Sequence, residues 1–223
     1  SATEVFDGIA SLIDKCLVRQ EAGGEGEPRF RVLDTIREFG LEQLTHCGDE
    51  AAARRAHARY CRALAGRSFA GVHSADHARW MERSETEHNN FRGALAWLLD
   101  TDDTEAAQDL CGALYRFWYV RGHLSEGLAW AERALAAGPM TPPGVRSWAL
   151  LAAAWLAWAT GDYGLASCRA HAAHDLFAAG AAAAGMAEAL YVLGVVAEDQ
   201  GDYAAAEAQL IGSLQRFRDL DEP

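Results

Sequence analysis

Two aspartates in matching surroundings are the first residues to test for chemistry. Asp162 and Asp202 each stand between a glycine and a tyrosine, in "TGDYGLASC" from Thr160 and "QGDYAAAEA" from Gln200. A pair of carboxylates can divide general acid and general base work. Such a site also needs a base, nucleophile or metal ligand beside it, and neither stretch supplies one. We therefore predict that both aspartates cap helices, where their oxygens accept bonds from free backbone N–H groups.

Histidine and cysteine spacing raises metal binding as a second kind of chemistry. Three groups have ligand-like spacing: His73 with His77, His171 with His174, and Cys47 with His57 and Cys61. A zinc site needs three or four converging ligands, and no motif supplies them. The sequence therefore predicts ordinary surface or packing histidines and no metal site.

Motifs of the common enzyme classes are missing from the chain. It contains no HExxH, G-x-S-x-G, Walker A or paired CxxC pattern, and these patterns carry metal, acyl-transfer, phosphate and redox chemistry. We therefore expect a non-catalytic chain with no cofactor of its own. The five cysteines are scattered and odd in number, which favours reduced thiols in the cytoplasm over a disulfide framework.

Composition sets the fold class and excludes some partners. Half of the 223 residues are hydrophobic, alanine is abundant and proline is scarce, which favours a packed helical protein. The formal net charge is -12, which disfavours direct contact with nucleic acid or anionic membranes. No apolar run approaches the ~18 residues of a membrane span.

A repeat of 39 and 40 residues runs through the second half of the chain. The copies align on Gly122, Gly161 and Gly201. Small residues also occupy equivalent positions in the second and third copies: Ala154 with Gly194, Ala166 with Ala206, and Ala173 with Ser213. Each copy reads as a helix, a tight turn and a second helix, because a left-handed glycine commonly ends a helix. The small residues would allow the two helices to cross closely.

This pattern resembles the tetratricopeptide repeat (TPR) over about residues 105–220. The resemblance is specific for the second and third copies, and the first copy departs from it at Tyr115 and Gly127. The period exceeds the usual ~34 residues, which predicts longer connections between helices. The implied fold is an α-solenoid of helix pairs whose first helices line a groove.

The same resemblance implies which side chains would line the groove. They are Arg116 and Tyr119 in the first copy, Trp148, Leu151, Trp155 and Trp158 in the second, and Tyr191 in the third. Large aromatic side chains are the ones that anchor bound peptides and ligands. The alternative is burial, because a helix that is apolar all round, like "SWALLAAAWLAWA", is often a core helix. Both interpretations remain open from the sequence.

Residues 1–48 predict a helix, a β-hairpin and a second helix, the order found at the end of a winged-helix unit. The glycines at 23, 24 and 26 lie between two predicted strands, which indicates a hairpin tip and not a phosphate-binding loop. This segment holds 5 basic and 9 acidic residues, whereas a DNA-reading wing normally carries a basic surface. Residues 49–104 then predict a linking helical region, with helices over 49–72 and 75–100.

A second resemblance covers nearly the whole chain. "LIDKCLVRQ…FRVLDTIREFGLEQL", "WMERSETEHNNFRGALAWLL" and "FWYVRGHLSEGLAWAERALA" resemble successive segments of bacterial STAND-type (AP-ATPase-like) NTPase transcriptional regulators. Relatives often carry a Met-His-Asp motif where this chain has Val32, Leu33 and Asp34, and leucine cannot donate a hydrogen bond to a phosphate. Asp34 is then expected to cap the helix that follows.

The STAND resemblance implies a fragment that runs from the winged-helix tail through 105–223 as sensor repeats. Any ATP or ADP would bind an upstream module outside this chain. The implied function is a non-catalytic sensor region that binds a protein, peptide or small effector and holds that module closed. The alternative is a stand-alone TPR scaffold that recruits a peptide segment of a partner protein.

Overall fold

The computed structural model describes residues 2–22, 28–71 and 75–221. The predicted hairpin tip at Gly23, Gly24 and Gly26 lies outside these residues, as does His73. The chain forms two compact units, Ser1–Ala56 and His57–Pro223. The predicted divisions at 48/49 and 104/105 stay predictions.

The first unit has the predicted order of helix, hairpin and helix. Its elements are α1 (Ala2–Asp14), β1 (Val18–Ala22), β2 (Pro28–Val32) and α2 (Asp34–Cys47). The strands pair antiparallel, with Val18 opposite Val32 and Gln20 opposite Phe30. The β-branched valines at the open end suit this pairing, and the small β-hairpin of the predicted fold class is confirmed.

The cap of α2 differs from the prediction. Leu33 is the N-cap, with extended backbone at φ -64° and ψ 145°, and no side chain forms a capping bond there. Asp34 is already the first helical residue, one position too late for a cap. Its carboxylate lies 3.5 Å from the Arg37 guanidinium. The negative charge also interacts favourably with the positive, N-terminal end of the helix dipole.

In the part of the chain that the structure describes, the remaining elements are all helices. They are α3 (Glu50–Gly71), α4 (His77–Thr86), α5 (His88–Asp100), α6 (Thr104–Arg121), α7 (Leu124–Ala137), α8 (Pro143–Ala159), α9 (Tyr163–Ala179), α10 (Ala183–Asp199) and α11 (Tyr203–Asp221). The division between the two units falls inside α3. The mainly α fold with helical repeats is confirmed.

The single helix predicted over 75–100 is wrong, because the chain bends at Glu87. Glu87 has φ -95° and ψ 2°, a bridge conformation outside the regular helix. The Asn90 side chain donates a 2.5 Å hydrogen bond to the Glu87 carboxylate, which holds the first turn of α5. The bend allows Met81 of α4 and Phe91 of α5 both to be buried.

Three helix pairs share one kind of turn. Gly122, Gly161 and Gly201 have φ of +80°, +83° and +79°. After each glycine, a backbone N–H donates to the carbonyl five residues back: His123 to Trp118 at 2.8 Å, Asp162 to Ala157 at 2.9 Å and Asp202 to Ala197 at 2.9 Å. This closure satisfies the last carbonyls of the first helix, as a left-handed glycine permits.

Aspartates begin the second helix in the two later pairs. Asp162 Oδ1 accepts a 3.0 Å bond from the Leu165 backbone N–H, and Asp202 Oδ1 accepts a 3.1 Å bond from that of Ala205. These are helix N-caps, the geometry that the repeat pattern predicts. In the first pair the same position is His123, whose side chain forms no capping bond.

The longer connections expected from the period are absent between the described helices α9 and α10. That connection is residues 180–182, within the usual range for neighbouring helices. Helices α8, α9 and α10 have 17 residues each. The extra length of the repeat therefore lies in its helices, because alanine-rich segments continue as helix where a loop was expected.

The core of the second unit is built from leucine, alanine and aromatic side chains. Leu110, Phe117 and Trp118 of α6 and Leu156 of α8 are almost wholly buried, which is the main stabilising contribution of such a domain. None of the described helices is long and apolar enough to cross a membrane.

Candidate binding surface

Four aromatic rings from three helices form a continuous surface, which we call the aromatic strip. It consists of Tyr119 of α6, Trp155 and Trp158 of α8, and Tyr191 of α10. Trp155 touches Tyr119, Trp158 and Tyr191, each at 5.6 Å between ring centroids. Tyr119 also stacks on Trp158 at 6.2 Å. These separations lie in the range of favourable ring pairs.

The strip is partly open to solvent. Tyr119 is 41% exposed and Tyr191 is 42% exposed, whereas Trp155 and Trp158 are half-buried. The indole Nε1 of Trp158 donates a 2.7 Å hydrogen bond to Asp199. The Trp155 Nε1 is buried without a hydrogen-bond partner. The tyrosines therefore form exposed ends around a tryptophan centre that is anchored in the helices.

An ion pair borders the strip one helical turn away. The Arg116 guanidinium donates to the Glu188 carboxylate, which links α6 to α10. Their side chains are only 23% and 15% exposed, so solvent screens this pair less than a surface pair. Arg116 and Glu188 precede Tyr119 and Tyr191 by three residues each, and residues at this spacing share a helix face.

Two groove residues predicted from the repeat lie elsewhere. Leu151 is fully buried, so it belongs to the core and its assignment to the groove is wrong. Trp148 packs edge-on against Phe69 of α3 at 5.4 Å and Phe177 of α9 at 5.1 Å. Trp148 is half-buried, and among the described residues its ring contacts are with these two phenylalanines and not with the strip. Tyr119, Trp155, Trp158 and Tyr191 are brought together, beside Arg116.

A second group of polar side chains was missed by the sequence analysis. Glu85, His88 and His123 place one oxygen and two ring nitrogens within 4.8 Å of one another, and we call them the histidine–glutamate cluster. His123 Nε2 lies 3.2 and 3.1 Å from the two carboxylate oxygens of Glu85. The available signal was the repeat itself, because His123 replaces the aspartate of the later copies.

Burial and a neighbouring ion pair shape this cluster electrostatically. Burial lowers the pKa of His88, and the charge of Glu126 only partly opposes that effect. Arg92 donates from Nε to Glu126 Oε1 at 2.6 Å and from Nη2 to Oε2 at 2.5 Å. These hydrogen bonds lower the pKa of Glu126. The neutral imidazole and the ionised carboxylate are therefore the favoured forms.

The other histidine and cysteine groups do not gather three ligands among the described residues. Cys61 Sγ lies 3.6 Å from His57 Nε2, but Cys61 is buried and desolvation raises the pKa of its thiol to about 12. A thiol with a raised pKa is a poor source of the thiolate that binds metal. Cys47 is exposed.

Comparison with known proteins adds a relationship to longer regulators. The chain is 38% identical over 126 residues to an inferred HTH-type transcriptional regulator of Mycobacterium tuberculosis, and the same figures hold for one of Mycobacterium bovis. The matched stretch is 56% of this chain and 14% of each relative. The chain therefore spans a small part of the length of these relatives. No protein-family model matches the sequence.

Proposed function

We propose that this chain is the partner-binding region of a transcriptional regulator and that the aromatic strip is its binding surface. The observation that carries the proposal is the continuity of the strip, four rings of three helices in contact with exposed tyrosines at its ends. Similarity to a segment of inferred regulators supports the regulatory setting. Clustered aromatic side chains beside a charged pair are typical of energetically dominant binding positions.

The charge around the strip favours one kind of partner. Residues 101–223 hold 7 basic and 16 acidic residues, and Asp199 lies directly at the Trp158 edge. The only basic group we assign to this surface, Arg116, is already paired with Glu188. A peptide segment or small effector with an apolar group and a positive charge would complement both the aromatic rings and the acidic side chains around them.

A longer regulator would use this surface for autoinhibition. In the mechanism that the STAND resemblance implies, the repeats hold a nucleotide-binding module closed until a partner occupies them. Nucleotide would then bind that module, and this region would perform neither catalysis nor DNA contact. Binding can shift such an equilibrium only if the partner prefers one of the two states.

A peptide-display selection on the immobilised chain tests the binding surface. We expect enriched sequences that bind the wild type and lose at least about tenfold in affinity to Tyr191→Ala and Tyr119→Ala, since truncated hot-spot residues cost ~2 kcal/mol or more. Tyr203→Ala is the matched control, because Tyr203 is 71% exposed on α11 and lies outside the strip. Equal loss in the control, or no loss in the strip variants, would contradict the proposal.

A reporter assay in the parent regulator tests the mechanism separately. Tyr191→Ala should change basal or induced transcription, and Tyr203→Ala should leave both unchanged. A stand-alone scaffold would show the same peptide binding with no effect of the strip on transcription. The two experiments therefore separate the binding surface from its regulatory use.

A further inference from the structure

The histidine–glutamate cluster joins three separate parts of the fold. Glu85 lies near the end of α4, His88 is the first residue of α5, and His123 stands in the turn between α6 and α7. We propose that these three side chains bind a divalent transition-metal ion, with Zn²⁺ the ion that they suit best. Imidazole nitrogens and a carboxylate oxygen are established zinc ligands. This inference does not rest on the proposed function.

A buried ring nitrogen without a partner points to a ligand. The His88 side chain is 7% exposed, and its Nε2 makes no hydrogen bond. Glu126 Oε1 lies 3.2 Å from this nitrogen, but the contact is not a hydrogen bond and that oxygen already accepts from Arg92. A buried polar atom left unsatisfied is costly, and a metal ion would satisfy this one.

One pair of donor atoms already has the spacing of tetrahedral zinc ligands. Bonds of ~2.0–2.1 Å place neighbouring ligand atoms about 3.3 Å apart. His123 Nε2 and Glu85 Oε2 are 3.1 Å apart, and the candidate ligand atoms of all three residues lie within 4.8 Å of one another. A His123 imidazole bound to Zn²⁺ through Nε2 keeps its one proton on Nδ1, so the ring stays neutral and its other nitrogen is free to coordinate the metal.

The departure of the first helix pair from the repeat supports a dedicated role for His123. Asp162 and Asp202 cap their helices at this position, whereas His123 makes no capping bond. A side chain that does not cap loses the stabilisation that a capping side chain gives to the helix N-terminus. The imidazole instead points to Glu85 of another helix, which is the arrangement expected of a ligand.

The cluster packs against an aromatic ring on one side and is accessible to solvent on the other. The Phe117 ring lies 5.2 Å from the His88 ring and 5.5 Å from the His123 ring. On the open side, a shallow depression of about 510 Å³ is lined by His123 and Glu126 among others. Water can complete the coordination, because the side chains of His123 and Glu85 are 26% and 42% exposed. Three protein ligands plus water is a common zinc arrangement.

Calorimetric titration of the chelator-treated chain with ZnCl₂ tests the site. We expect one Zn²⁺ per chain and a rise in Tm on binding. Glu85→Gln and His123→Asn should each weaken binding more than about tenfold, because even outer-shell changes cost 10–100-fold. Asparagine is a good N-cap residue, so His123→Asn should remain folded, and the unchanged circular dichroism spectrum checks this.

A control histidine separates this site from ordinary surface binding. His171→Asn alters an exposed histidine of α9 and should leave both the Zn²⁺ affinity and the Tm shift unchanged. Failure of the wild type to bind Zn²⁺ would overturn the proposal. Unchanged affinity in Glu85→Gln and His123→Asn, or an equal loss in His171→Asn, would overturn it as well.

Discussion

The two ends of α8 carry the same large side chain in different surroundings. Near its beginning, Trp148 packs between Phe69 of α3 and Phe177 of α9. Near its end, Trp155 and Trp158 meet tyrosines of α6 and α10 that are each more than 40% exposed. From Trp148 to Ala159 every residue of the helix is apolar, so its own sequence does not distinguish core from surface there. The helices that pack against α8 decide which of its tryptophans are covered, and substitutions at its two ends test this difference.

Removal of the Trp148 ring should have the largest effect on stability. We expect Trp148→Ala to lower the free energy of unfolding by about 3 kcal/mol, the low end for loss of a large aromatic side chain, because the ring is half-buried. Trp158→Ala should cost about 1 kcal/mol, the value of an aromatic pair, since its ring stacks on the exposed ring of Tyr119. Urea denaturation of both variants measures the difference. Equal losses would show that the two ends of α8 are equivalent.

A methyl group beside Trp148 should also be destabilising. A Cβ at Gly112 would lie 2.8 Å from the Trp148 Cβ and 3.3 Å from its backbone carbonyl carbon. Gly112→Ala should therefore cost about 1–2 kcal/mol by overpacking. Gly93→Ala is the control within helix α5, where the new methyl meets nothing within 4 Å. Gly93→Ala should stabilise the folded chain by ~0.5–1 kcal/mol. Destabilisation by both substitutions would contradict the close contact between Gly112 and Trp148.

The turns were predictable from sequence because their chemistry is local. Glycine at a left-handed position and aspartate at an N-cap act within a few residues, so Gly161 and Asp162 could be placed without a fold. The groove was only partly predictable, because whether Leu151 or Trp155 is buried depends on which helix covers it. The histidine–glutamate cluster was missed because Glu85 and His123 are 38 residues apart in the sequence and meet only through tertiary packing.

Loss of a cap at the strip end of α8 should have a moderate effect. Asp162 begins α9 directly after the turn that follows Trp158, and its carboxylate accepts from the Leu165 N–H. Asp162→Ala should lower the free energy of unfolding by about 1 kcal/mol, and Asp162→Asn should restore most of it. Thermal unfolding by circular dichroism measures both. An asparagine variant as unstable as the alanine variant would exclude a capping role.

Truncation of an exposed strip tyrosine should have the smallest effect on stability. Tyr191 is 42% exposed and stacks on Trp155, so Tyr191→Ala should cost about 0.5 kcal/mol, the lower end of the range for an aromatic pair. Urea denaturation checks this value. A loss as large as that of Trp148→Ala would place Tyr191 in the core and remove it from the binding surface.

Fluorine NMR of the chain labelled with 5-fluorotryptophan tests the central claim most directly. The chain has 7 tryptophans, and single Trp→Phe variants assign their resonances. On titration with a peptide from the display selection, the resonances of Trp155 and Trp158 should shift, while those of Trp148 and the buried Trp118 stay in place. Shifts confined to Trp148, or no shift at Trp155 and Trp158 at saturating peptide, would contradict the assignment of the aromatic strip as the binding surface.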